Sequence, residues 1–166
     1  MKFFVIADTH FGHTNIIKYC NRPFSCTEDM DEALIKNWNE TVSNNDVILH
    51  LGDFGLGNKE YVENIIKKLN GKKILIKGNH DNWSDSFYRD AGFNYVSKFP
   101  IIYGGSPDNN GFYMMSHAPL LLSETTPYFN YYGHVHNDTR YSDTPTSKCV
   151  SVERIGYRPY CFMERN

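Results

Sequence analysis

The chain lacks the marks of several common protein classes. No apolar run approaches the roughly 18 residues of a membrane-crossing helix, so no membrane partner is expected. Its four cysteines, Cys20, Cys26, Cys149 and Cys161, include no CxxC pair, and nothing else marks an oxidising compartment. They read as free thiols in a reducing environment rather than as zinc ligands. Basic residues are not in excess: 17 Lys and Arg face 19 Asp and Glu, for a net charge of −2. That balance offers no basic face for holding duplex nucleic acid by counterion release. A nucleotide or a strand end stays open, because bound metals can supply positive charge. No linker, repeat or low-complexity tract divides the 166 residues, which fits one domain over 1–166 with a real core. The start resembles a secretory leader only superficially. Its apolar stretch, Phe3 to Ala7, is five residues long and runs directly into Asp8, whereas a leader needs about 7–15. It reads as a first strand, and the protein as cytoplasmic.

Hydrophobic spacing predicts β-α-β-α-β through the first half, hence parallel strands with right-handed crossovers. The strands are Phe3 to Ala7, Val47 to Leu51 and Lys73 to Lys77. A short helix is expected from His13 to Cys20, with Ile16 and Ile17 inward. A longer one follows the S-x-x-E capping box Ser25-Cys26-Thr27-Glu28 and runs to about Ser43. A third, capped by Asn58 and stopped by Gly71, is expected to carry Tyr61, Val62, Ile65, Ile66 and Leu69 as its apolar face. After about Asn94 the pattern turns to short strands: Tyr95 to Tyr103, Phe112 to Ser116, Tyr128 to Tyr132, Lys148 to Val152 and Tyr160 to Met163. Turn-rich stretches such as Gly104 to Gly111 separate them.

What the chain does have is five polar clusters, nearly all set directly behind apolar runs: Asp8-Thr9-His10, Gly52-Asp53, Gly78-Asn79-His80-Asp81, Ser116-His117 and Gly133-His134-Val135-His136. Five of its seven histidines fall inside them, which is not a random distribution. In open α/β sheets ligands bind beyond the carboxyl ends of the strands, where these clusters lie. The i, i+2 spacing of Asp8 with His10, and of His134 with His136, lets each pair point one way on extended chain. Mixed Asp, His and Asn donors without cysteine suit Mn²⁺, Fe, Zn²⁺ or Co²⁺. One carboxylate, best supplied by Asp53, could bridge two such metals about 3.5–4 Å apart. Any one cluster alone reads better as a strand-end turn or a satisfied core histidine. A purely structural role for the whole set would bury several carboxylates and imidazoles without charge partners, which is costly.

The ordered series D-x-H, G-D, G-N-H-D, H and G-H-x-H resembles the calcineurin-like metallophosphoesterase superfamily, over about residues 3 to 136. The resemblance implies an α/β fold, a four-layer α/β/β/α sandwich of two mixed sheets. It implies that Asp8, His10 and His136 bind one metal, that Asn79, His117 and His134 bind another, and that Asp53 bridges them. The metals would be two divalent ions, Mn²⁺ first, with Fe, Zn²⁺, Co²⁺ or Ni²⁺ as alternatives. His80 would face the phosphate, with Asp81 holding its ring. Gly52-Asp53-Phe54-Gly55-Leu56 lacks the further acidic or polar residue usual after the family's G-D.

The implied activity is phosphate-ester hydrolysis by in-line attack of a metal-bridging hydroxide. The loops after Asp53 and His117 are too short for a capping domain, which favours phosphodiesters or nucleotides over small monoesters. A phosphomonoesterase, or a non-catalytic scaffold of the same fold, is the alternative; the complete ligand set argues against the scaffold. His13 and Asn15 are candidates to touch substrate, or simply a solvated helix start. Arg22, Arg140 and Arg154 are candidate phosphate clamps, surface charge being the commoner role. His50 is expected to be a hydrogen-bonded structural histidine, and Tyr128 to Tyr132 a packed strand rather than a base-stacking surface. The oligomeric state stays open.

Overall fold

Alternating apolar residues in the first half build one sheet whose two faces are both buried. The computed structural model describes residues 1–104 and 112–165. In it, β1 (Lys2–Ile6), β2 (Val47–His50), β3 (Lys72–Ile76) and β4 (Tyr95–Ser97) run parallel. The last strand, β9 (Tyr160–Glu164), pairs antiparallel with β1, giving the order β4-β3-β2-β1-β9. Phe4, Ile6, Ile48 and Leu75 point to one side, where they pack on Ile16, Leu34, Trp38, Val62, Ile66 and Tyr88. Those partners come from α1 (Thr14–Tyr19), α2 (Thr27–Thr41), α3 (Lys59–Lys68) and α4 (Asp85–Ala91). Val5, Leu49 and Ile76 point to the other side, onto Met115 and Tyr131 of a second sheet.

The second sheet has the order β5-β6-β7-β8, made of β5 (Ile101–Tyr103), β6 (Phe112–Ser116), β7 (Tyr128–Tyr132) and β8 (Ser147–Cys149). β6, β7 and β8 are parallel and β5 is antiparallel. The fold is therefore α/β, with two mixed sheets packed face to face. Among the described residues the four helices all precede residue 92 and cover the first sheet, and irregular chain rather than helix overlies the second.

Three local features differ from the spacing-based expectation. The capping box does not form: Cys26 occupies the cap position without a side-chain bond, and the Ser25 hydroxyl donates to Asp29 instead. α4 was not foreseen, because seven residues are too few to display a 3.6-residue repeat; Ser84 caps it by accepting from Phe87 N at 3.1 Å. The stretch Tyr95 to Tyr103 is two strands in two sheets. The Ser97 hydroxyl donates to Phe99 O and accepts from Phe99 N, turning the chain, and Pro100 has no N–H for a ladder. Asn58 does cap α3, accepting from Tyr61 N at 2.9 Å. The turn expected over Gly104 to Gly111 lies, but for Gly104, outside the described residues.

The two sheets are stitched together at one end. Val150 N donates to Tyr132 O (2.7 Å), while Val150 O accepts from Ala7 N (2.9 Å). The chain just past β8 thus bonds to both sheets at once, where β1, β2, β3, β6 and β7 all terminate. Every polar cluster found in the sequence emerges at this seam.

On the outward face of β7, buried Asn130 ties overlying chain to the sheet. Its amide oxygen accepts from Leu120 N at 2.9 Å, and its nitrogen lies within 3.0 Å of Met114 O, Ser116 Oγ and Tyr131 O. Asn130→Ala leaves several buried groups unpaired, each costing about 1–3 kcal/mol. Urea denaturation is expected to show a loss of about 2–3 kcal/mol; an unchanged midpoint would contradict this role.

Candidate metal centre

The strand ends turn sharply at the seam, and the backbone shows it. Seven non-glycine residues have positive φ among those described, and five are Asp8 (58°), His10 (52°), Asp53 (56°), His134 (71°) and His136 (49°). Left-handed backbone costs about 1–2 kcal/mol at a non-glycine residue and marks sites where geometry is imposed by function. Two motif glycines are required by close approach. A Cβ on Gly78 would lie 2.2 Å from Asp53 Oδ1, and one on Gly133 would lie 2.7 Å from Asp8 Oδ2.

Asp8, His10 and His136 bring their donor atoms within 4.8 Å of one another. Asp8 is fully buried. Its Oδ2 accepts from Ser151 Oγ (2.6 Å) and His134 N (2.8 Å), but Oδ1 has no hydrogen-bond partner. His10 Nε2 is likewise buried and unpartnered. Burial pushes the Asp8 carboxyl up to about 6, against the nearby His136 and His117, and holds the His10 pKa far below its usual value. His136 is lifted to about 10: burial opposes its charge, but the contacts with Cys20 and Glu153 and the charge of Asp8 outweigh it.

A second group joins Asp53, His117 and His134, also within 4.8 Å. Leu51 O can only accept, so His117 Nδ1, 2.8 Å away, carries the proton. The lone pair on His117 Nε2 then faces Asn79 Oδ1 (3.0 Å), His134 Nδ1 (3.1 Å) and Asp53 Oδ2 (3.5 Å). Asp53 lies between the groups. Its Oδ1 accepts from His80 N (2.9 Å), whereas Oδ2 is 3.6 Å from His10 Nε2 and 3.5 Å from His117 Nε2. The buried, unpartnered Asp8 Oδ1 and His10 Nε2, with the donors that converge beside Asp53, are the complement of a cation, so the residues present fit divalent metals.

The other sequence candidates divide. His80 stands exposed at the mouth, its ring 5.3 Å from that of His10. His13 joins it, with Nδ1 3.3 Å from His10 Nδ1. Asn15 is exposed on α1 and makes no hydrogen bond to the cluster among the described residues. Asp81 does not hold the His80 ring as expected. Its oxygens accept from the backbone of Asp53 (2.7 Å), Phe54 (3.0 Å) and Gly78 (2.8 Å), fixing the two loops to each other. Arg22 is neither a surface charge nor a phosphate clamp. Its buried guanidinium donates to Asp8 O (2.7 Å), Thr9 O (2.8 Å) and Glu153 (Nε, 2.9 Å). Arg154 grips the carbonyls of His136, Asp138 and Tyr141, each at 2.6 Å, and Arg140 pairs with Asp138. Tyr131 packs between the sheets, as the strand reading required.

Ser151 and Glu153 also belong to the site, though the sequence does not point to them. They follow β8 outside every motif, and only the folded chain brings them beneath Asp8 and His136. No sequence signal marks them.

The sequence model of calcineurin-like phosphoesterases matches residues 1–158. The chain belongs to the calcineurin-like phosphoesterase family, whose members depend on divalent metals. An uncharacterized protein of Methanocaldococcus jannaschii is 37% identical, over 95% of this chain and 85% of its own length. A protein of unknown function from Aquifex aeolicus has a similar structure, with a TM-score of 0.72 and 24% identity over 96% of this chain and 95% of that one. A solved structure described as a novel archaeal phosphodiesterase shares the fold at a TM-score of 0.52 and 16% identity, covering 91% and 82% of the two chains. No helix among the described residues is long and apolar enough to cross a membrane.

His50 lies under the first loop as a buried structural histidine stacked on Trp38. Thr9 Oγ spends its proton on Phe54 O (2.7 Å), so His50 Nε2 must donate to it (2.9 Å). Burial, with a smaller push from His117, drives the His50 pKa down to about 3. Unfolded chain takes up this proton near pH 6.5 and folded chain refuses it, so stability falls as pH drops below about 6.5, by up to about 1.4 kcal/mol per unit. The stability of metal-free protein, measured by urea from pH 7.5 to 5, is expected to decline more steeply than that of His50→Gln. Parallel curves would contradict it.

Proposed function

We propose that the chain, acting as one domain over 1–166, hydrolyses phosphate esters with two divalent metals at the seam. Asp8, His10 and His136 hold one, Asn79, His117 and His134 hold the other, and Asp53 contributes to both. The observation that carries this reading is Asp53 Oδ2, nearly equidistant from His10 Nε2 and His117 Nε2 at 3.6 and 3.5 Å. When bound, the metals lower the pKa of the attacking water and neutralise charge on the phosphate oxygens. His80, exposed at the mouth, donates a proton or hydrogen bond to the phosphate or leaving oxygen. His13 lines the same mouth. Mn²⁺ is the metal proposed, given oxygen and imidazole donors without thiolate.

Phosphodiesters or nucleotides are the proposed substrates, turned over in the cytoplasm. The His80 side of the centre is open, and a cavity of about 220 Å³ adjoins the other side, lined by Asn79, His117, Lys77 and Lys98. Lys77 is held by Trp83 O and Asp85. Lys98 has no carboxylate partner among the described residues and suits an anionic or ester arm flanking the scissile phosphate. The phosphodiesterase name carried by an archaeal protein of this fold agrees with that choice.

Metal-stripped protein refilled with Mn²⁺ is expected to cleave bis(p-nitrophenyl) phosphate faster than p-nitrophenyl phosphate. His80→Ala should lower turnover about 100-fold or more with metal content unchanged. Asp53→Asn should lose both activity and metal by elemental analysis. Monoester cleavage alone would overturn the substrate class. Two bound metals with no turnover of either ester would favour a scaffold.

A further inference from the structure

Glu153 lies outside every motif, yet its side chain is buried, and its surroundings give it a definite task. Glu153 Oε1 lies 3.0 Å from His136 Nδ1. The same oxygen accepts from Arg22 Nε (2.9 Å) and lies in ion-pair contact with Nη2 at 2.7 Å. The guanidinium that fixes Glu153 also binds the carbonyls of Asp8 and Thr9. One buried arginine therefore locks the Asp8-Thr9-His10 loop to the carboxylate that faces His136. These loops lie more than 120 residues apart in the chain, and both are held in left-handed backbone.

We infer that Glu153, held by Arg22, is a positioning residue that selects the Nδ1–H tautomer of His136 and leaves its Nε2 lone pair for the metal. A carboxylate can only accept here, so Nδ1 must donate, and Nε2 is the nitrogen left to ligate. A histidine ligand whose other nitrogen donates to a carboxylate is fixed in ring orientation and made more basic. Loss of such a partner typically costs about 10–100-fold in metal affinity. Cys20, also within 4.8 Å of His136 and Glu153, does not turn this corner into a separate metal site. The Arg22 guanidinium against Glu153 would repel a cation there. This role rests on the two-metal reading above.

The test is ¹⁵N-labelled, Zn²⁺-loaded protein as wild type, Glu153→Ala and Glu153→Gln, with imidazole nitrogen shifts read by NMR and Zn²⁺ affinity by chelator competition. Wild type is expected to show His136 ligating through Nε2 with Nδ1 protonated. Glu153→Ala should weaken one metal about 10–100-fold and lose the single tautomer. Glu153→Gln keeps the volume and an acceptor oxygen. It should retain the Nδ1 proton with a smaller loss of affinity, and it answers the question even if the alanine variant does not fold. Unchanged affinity and tautomer in either variant would overturn the role of Glu153 alone. A wild-type His136 bearing no metal would overturn the metal assignment, and this role with it.

Discussion

Two carboxylates, Asp8 and Asp53, are buried close together where parallel strands β1 and β2 end, and the rest of the centre answers that constraint. Buried like charges are expensive, and the rise of the Asp8 carboxyl to about 6 reflects the cost of leaving it in dry surroundings. The chain offsets part of it with neutral donors: Ser151 and the His134 amide on Asp8, and the His80 amide on Asp53. No lysine or arginine head group pairs with either carboxylate among the described residues. Buried Arg22 spends itself on the Asp8 and Thr9 carbonyls and on Glu153. The remaining lone pairs, on Asp8 Oδ1, His10 Nε2 and Asp53 Oδ2, point at common space and are balanced when cations enter it.

The fold delivers this arrangement through register. β1 pairs with β2 up to Ile6 and His50, and β6 with β7 up to Ser116 and Tyr132, so the loops leave their sheets at matched heights. Val150 bridges the two sheets at that height and fixes how far apart the loops stand. Asp81, bound to three backbone amides, holds the Asp53 loop against the Gly78 loop. The centre is thus framed by backbone bonds and buried side chains, with Asn79, His80 and His134 exposed at an open mouth.

Much of this was legible in the sequence, because strands and ligand clusters are local. Phe112 to Ser116 and Tyr128 to Tyr132 are visible as apolar or aromatic runs and fold as such. Asn58 before Val62, Ile65 and Ile66 announces α3 through a cap and a repeat that both form. The failures come from contacts distant in sequence or from segments too short to show a period. Seven residues of α4 carry no readable repeat, and the break at Ser97 to Pro100 depends on which sheet each half joins. Arg22 reads as a surface charge until Glu153, 131 residues later, folds against it. Asp81 reads as a histidine's partner because of its adjacency, yet backbone amides from another loop claim it.

The most direct test of the account is the electron paramagnetic resonance spectrum of the protein carrying two equivalents of Mn²⁺. Two ions sharing the Asp53 carboxylate should give a broad, exchange-coupled spectrum. A six-line signal from isolated Mn²⁺, growing in proportion up to two equivalents or saturating at one, would contradict a bridged pair at this seam.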